Sequence, residues 1–118
     1  MELSLNAIGL VVSDIPASLA FYRLLGLDIP RDADEAPHVE ITLAGGVRLM
    51  WDSPSTVSSF DPAWTAPTGG HRVALAFAAP SPDAVDAAYA EIVAAGFTGH
   101  VAPWDAFWGQ RYAVVHDP

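Results

Sequence analysis

One local pattern is written twice along this chain. Leu5 to Val12 is an apolar, β-branched run that ends in Ser13-Asp14-Ile15-Pro16, and His71 to Ala78 is a second apolar run followed by Ser81-Pro82-Asp83. A Ser or Asp side chain caps a helix by accepting from its free N–H groups, and Pro suits the first helical turn, so each run reads as a strand feeding a helix. Leu19, Tyr22 and Leu25, with Phe21 beside them, give the first helix an apolar face over about Ala17 to Leu25; Val85, Tyr89, Ile92 and Val93 do the same for the second. Gly26 and Gly96 are their natural stops. An offset of roughly 65 to 70 residues between similar units is the sign of an internally duplicated fold.

Each helix is followed by strands. Val39, Ile41 and Leu43 alternate with His38, Glu40 and Thr42 until Gly45-Gly46 turns the chain into Val47 to Asp52, a β-hairpin. Pairing across the glycines sets Thr42 opposite Leu49 and Glu40 opposite Trp51. In the second half, Phe97 to Val101 reads as a strand, Pro103 to Gly109 as an aromatic loop, and Gln110 to His116 as the next strand. Between the halves, Ser53 to Gly70 has the Pro, Ser, Thr and Gly content of a loop, yet Phe60 and Trp64 within it call for something to cover. The expectation is a single α+β domain over residues 1–118 of two βαβββ modules, about 1–58 and about 70–118, forming a cup-shaped mixed sheet. The last strand of the second module is missing from this reading, either because the sequence stops short of it or because a partner chain supplies it, and an edge left unpaired there would invite association.

Composition narrows the function classes. With 118 residues and 52% hydrophobic content the chain can bury a core. It contains no Cys, which excludes disulfides, thiolate metal sites and thiol nucleophiles. A net charge of −9 repels a phosphate backbone, so nucleic acid is excluded as a partner. No secretory leader or membrane-spanning run is visible, and a cytoplasmic location is expected. No serine lies in a nucleophile motif, and phosphate loops and dinucleotide fingerprints are absent. The four tryptophans, Trp51, Trp64, Trp104 and Trp108, fall in or near Pro/Gly-rich segments and are the first clue to a site.

Gly9-Leu10-Val11-Val12-Ser13-Asp14-Ile15-Pro16 with Phe21-Tyr22-Arg23 and Leu25-Gly26-Leu27, and later Trp108-Gly109-Gln110-Arg111-Tyr112 with His116-Asp117-Pro118, resemble the vicinal oxygen chelate superfamily of glyoxalases, extradiol dioxygenases and antibiotic-binding resistance proteins. Ala36-Pro37-His38, Leu49-Met50-Trp51-Asp52, Asp61-Pro62, Ala66-Pro67-Thr68-Gly69-Gly70-His71-Arg72, Gly99-His100 and Pro103-Trp104 are similar, within it, to the mitomycin-binding resistance proteins. The resemblance implies paired modules, a homodimer and a site near the module or subunit interface.

Metal-dependent members carry His at the start of each module's first strand and carboxylates on later strands. Ala7 and Arg72 stand at the two His positions and Leu49 at the first carboxylate position; the fourth would fall beyond Pro118. No cofactor or catalytic residue is therefore expected, although His38, Glu40, His71 and His116 could form an alternative two-His, one-carboxylate set for a metal-dependent glyoxalase or dioxygenase. The preferred reading is sequestration of a planar aromatic or quinone-containing molecule, an antibiotic or other toxic natural product. By resemblance His38 and Trp108 sandwich the ligand, Phe60 and Trp64 form a lid, and Glu40 and Thr42 are polar contacts. Leu49, Trp51 and Trp104 complete the expected cup, with Trp51 equally suited to the core.

Overall fold

The computed structural model describes residues 1–118. Strand β1 (Ala7–Val11) leads into helix α1 (Ile15–Leu24), whose N-terminus is capped by the Asp14 carboxylate accepting from the Ala17 N–H at 3.0 Å, with Pro16 in the first turn. A short 3-10 turn (Arg31–Glu35) precedes the hairpin β2 (His38–Thr42) and β3 (Arg48–Asp52). Helix α3 (Pro82–Ala94), capped by Ser81, precedes β4 (Thr98–Asp105) and β5 (Arg111–His116). The strands form two sheets: a mixed sheet of order β1-β3-β2, in which β1 and β3 are parallel, and an antiparallel β4–β5 pair. The α+β class matches the reading of the sequence; the single cup-shaped sheet does not appear.

Four local expectations change. The segment after β3 is not all loop, because Ser53 caps a helix α2 (Pro54–Phe60) by accepting from the Thr56 N–H at 3.2 Å, and the Thr56 hydroxyl donates to the Pro37 carbonyl at 3.1 Å. The hairpin register moves by one residue. Gly46 N–H donates to Leu43 O, Leu43 N–H donates to Val47 O, and both Gly45 and Gly46 have φ near +95°, so the connection takes up Ala44, Gly45 and Gly46 together and sets Thr42 opposite Arg48. Since side chains alternate, that shift turns Leu49 and Trp51 to the opposite face. Trp104 lies in a strand opposite Tyr112, not in a loop. Finally, His71 to Ala78 runs without any strand beside it, and no backbone hydrogen bond joins another backbone group from Thr65 to Pro80. An apolar run supplies only half of a ladder; its N–H and C=O groups need a neighbour.

The core lies between α1 and the mixed sheet. Leu19, Leu49 and Trp51 are at most 2% exposed, and each such side chain contributes about 2–3 kcal/mol on burial. Phe21 meets Tyr22 and Phe97 edge-on at 5.1 and 5.2 Å, while Tyr22 packs on Trp51 at 5.4 Å. Phe97 and Ile92 come from the second half, so both halves share this core. The Tyr22 hydroxyl donates to Asp117 at 2.5 Å, joining α1 to the segment after β5. Burial, this hydrogen bond and the Asp117 charge push the phenol far above its ordinary range.

The molecule is open for its size. Its accessible area of 8202 Å² exceeds the roughly 6,200 Å² of a compact monomer of this mass, and its 15.8 Å radius of gyration exceeds about 13.5 Å.

Candidate ligand-binding surface

Each sheet carries its helix on one face and leaves the other bare. On the mixed sheet, alternation along β2 and β3 places Val39, Ile41, Leu49 and Trp51 toward α1. The bare face receives His38, Glu40 and Thr42 from β2 and Arg48, Met50 and Asp52 from β3. His38 sits between two carboxylates, its Nδ1 2.5 Å from Asp52 and its Nε2 3.0 Å from Glu40. Arg48 then donates to both Glu40 oxygens, at 3.2 and 3.0 Å. The hydrogen bond to Asp52, reinforced by that to Glu40, raises the His38 pKa. His38 and Arg48 in turn lower that of Glu40. The result is a row of alternating charge, Asp52, His38, Glu40, Arg48, in which the imidazole favours its protonated form.

On the second sheet Gly99 and Val115 face α3, as do Asp105 and Arg111, whose guanidinium reaches Asp86 of α3 at 2.9 Å. The opposite face carries Trp104 and Tyr112 at one end and His116 at the other. Trp104, Trp108 and Tyr112 form a mutual edge-to-face cluster with ring separations of 5.3 to 6.1 Å. The Trp108 indole N–H donates to Gln110 at 2.8 Å, which fixes the ring while 48% of the residue stays exposed. A partly exposed, fixed aromatic surface can stack on a planar molecule.

The residues named from the sequence are thus divided. Glu40 and Thr42 also border an open groove of about 440 Å³ that continues along Ile41 and Leu43 to Leu27 and Pro30. Leu49 belongs to the core side and lines an apolar cavity of about 250 Å³ between Ile8, Leu43 and the Ala74–Phe77 segment. Trp51 is fully buried, its indole N–H without a partner, so the expected ligand contact by Leu49 and Trp51 is replaced by packing under α1. Phe60 ends α2 and is 72% exposed, and Trp64 follows it in a turn closed by its N–H donating to Asp61 O. His38 and Trp108 stand on different sheets. Asp52, Arg48 and Tyr112 complete the two bare faces and were not among the site residues expected from the sequence; the three-residue hairpin turn was the signal for the first two.

The positions that hold metal donors in metal-dependent relatives do not fit a divalent ion here. Ala7 has no donor atom, Arg72 no lone pair, and Leu49 lies in the core. The alternative set is split, because His38 and Glu40 pair on the first sheet while His71 packs against His116 beside the second. No three His, Asp or Glu side chains converge as a preformed ion site.

A strand, a helix and a hairpin in the first half, echoed by an extended run, a helix and a hairpin in the second, define the class of duplicated α+β domains. The chain belongs to the Glyoxalase/Bleomycin resistance protein/Dioxygenase superfamily, whose family profile it matches over residues 4–118. Among solved structures it resembles a glyoxalase/bleomycin resistance protein/dioxygenase family enzyme from Burkholderia phytofirmans PsJN (TM-score 0.81, 23% identity, covering 98% of this chain and 91% of that one). It also resembles a glyoxalase/bleomycin resistance protein/dioxygenase from Nocardioides (TM-score 0.73, 24% identity, 100% and 78% covered) and a hypothetical protein from S. aureus (TM-score 0.77, 21% identity, 99% and 87% covered). No curated protein matches the sequence significantly. No helix is long and apolar enough to cross a membrane.

Proposed function

We propose that this protein binds and sequesters a planar aromatic small molecule, of the quinone-bearing antibiotic class, on the bare faces of its two sheets. The observation that carries this reading is the Trp104–Trp108–Tyr112 cluster, a fixed and partly exposed aromatic surface on a face with no helix. The charged row from Asp52 to Arg48 supplies directional hydrogen bonds on the other face, where the Arg48 guanidinium, engaged with Glu40 through one nitrogen, keeps N–H groups to donate to a quinone oxygen. Ala7, Arg72 and Leu49 at the superfamily's donor positions favour binding over metal-dependent catalysis. The short runs read from the sequence as resembling mitomycin-binding resistance proteins suggest the same ligand class.

The bound form we propose is a homodimer. The chain exposes about 2,000 Å² more than a compact monomer would, so a dimer that covered this excess on both chains would bury about 4,000 Å² in all, within the span of obligate homodimer interfaces. In that assembly His38 of one sheet and Trp108 of another can close on one ligand.

Titrating the protein with mitomycin C and other planar quinones, followed by tryptophan fluorescence, tests the reading. Saturable quenching, recovery of unchanged ligand, and affinity weakened about fivefold in Trp108→Ala are expected, from the ~1 kcal/mol of one ring contact. Chemical conversion of the ligand, or no quenching by any quinone, sinks it.

A further inference from the structure

Three of the four histidines of this chain, His71, His100 and His116, gather at one end of the second sheet, although they are far apart in sequence. Thr98 pairs with His116 and Gly99 with Val115, but Val101 already pairs with Val114, so His100 is the extra residue of a β-bulge. Bulges re-aim side chains, and this one sets the His100 ring against that of His116, centroids 4.4 Å apart. His71, which opens the extended segment, brings its ring to 6.0 Å from His116 on the other side. We infer that His100 and His116, joined by His71, form a surface site for a divalent transition-metal ion such as Zn²⁺ or Cu²⁺.

Geometry and charge support it. An imidazole bound at about 2.1 Å holds its ring centre about 3.2 Å from the ion, so two rings sharing an ion at ordinary bond angles have centres roughly 4.5 to 6 Å apart. The 6.0 Å between His71 and His116 lies in that range, whereas His100 and His116, stacked at 4.4 Å with 27° between their planes, sit just short of it and must open to share an ion. All three residues are exposed, and staggered side-chain torsions let the rings turn from the present packing, in which they do not converge, to point their nitrogens at one ion. Imidazole is a preferred donor for these ions, water can fill the remaining positions, and a chain of net charge −9 draws cations toward it. No metal-ligand position of the superfamily named above is used, and the site stands apart from the aromatic cluster; it holds whether or not a quinone binds.

Calorimetric titration of the full chain with Zn²⁺ is the test. One ion per chain at about micromolar affinity is expected, weakened at least about tenfold in both His100→Asn and His116→Asn. Cu²⁺ bound to the unmodified protein should show nitrogen hyperfine splitting in its electron paramagnetic resonance spectrum, a readout that needs no variant. Absence of binding up to about millimolar Zn²⁺, a Cu²⁺ spectrum without nitrogen ligands, or affinity that survives both substitutions but falls in His38→Asn, overturns the inference.

Discussion

His38 is the residue whose environment departs furthest from what its place in the sequence suggests. A histidine at the start of an exposed strand invites a reading as a neutral stacking ring, yet hydrogen bonds to Asp52 and Glu40 hold it toward the imidazolium. Its folded pKa is raised above the unfolded value of about 6.5, so the stability it contributes is complete below that pH and is lost as pH rises through the raised folded value. With 42% of the side chain exposed, water screens these pairs and the contribution is small. The direct observable is its proton NMR titration: His38 is expected to titrate above the ordinary imidazole value, and Asp52→Asn to bring it back toward that value, since Asp52 is the larger cause. A His38 that titrates normally in the unmodified protein contradicts the charged row on this sheet. Residue identity was legible in the sequence here. The partners were not, because they depend on a register that the inclusion of Ala44 in the turn decides.

Among the elements, helix starts were the most legible features. Asp14-Ile15-Pro16 and Ser81-Pro82 announce α1 and α3, and the structure shows their caps at 3.0 and 3.2 Å. Ser53-Pro54 carries the same signal for α2 but lies in a stretch whose Ser, Thr and Pro content reads as loop. The hairpin was legible as a hairpin and misread in phase, since Gly45-Gly46 looks like a two-residue turn while Ala44 joins them. Non-local pairing was illegible: nothing in His71 to Ala78 states whether a neighbour lies beside it. Packing of α3 on its sheet turns on Gly99, where an added Cβ would collide with the Tyr89 hydroxyl and meet a Val93 methyl at 3.1 Å. Gly99→Ala is therefore expected to lower stability by about 1–3 kcal/mol through overpacking, measured by urea denaturation, while Gly70→Ala, with open space around it, changes little. An unchanged midpoint in Gly99→Ala would mean that α3 does not approach β4 so closely.

The whole molecule shares one core between two halves but leaves much of both exposed. Phe97 and Ile92 bring the second half onto α1, and Tyr22 reaches Asp117, so the halves are joined by packing and by a hydrogen bond spanning most of the chain. None of these long-range pairs could be read from spacing. The excess of exposed area leads to a measurement at this scale: light scattering at micromolar concentration is expected to give about 25 kDa, twice the 12.5 kDa of the chain. A mass near 12.5 kDa would remove the homodimer from the binding reading and leave each face to act within one chain.

The segment from Thr65 to Pro80, which makes no backbone-to-backbone hydrogen bonds, has a consequence for how such assemblies arise. Drawn out, it could span ~50 Å, enough for the second half to leave its own core and seat in that of a neighbour. The tether sets a local concentration of one half around the other without specifying whose half it is. Within one chain that concentration is fixed, whereas between chains it rises with the amount of protein, so any exchange of halves between copies would depend on expression level as much as on sequence.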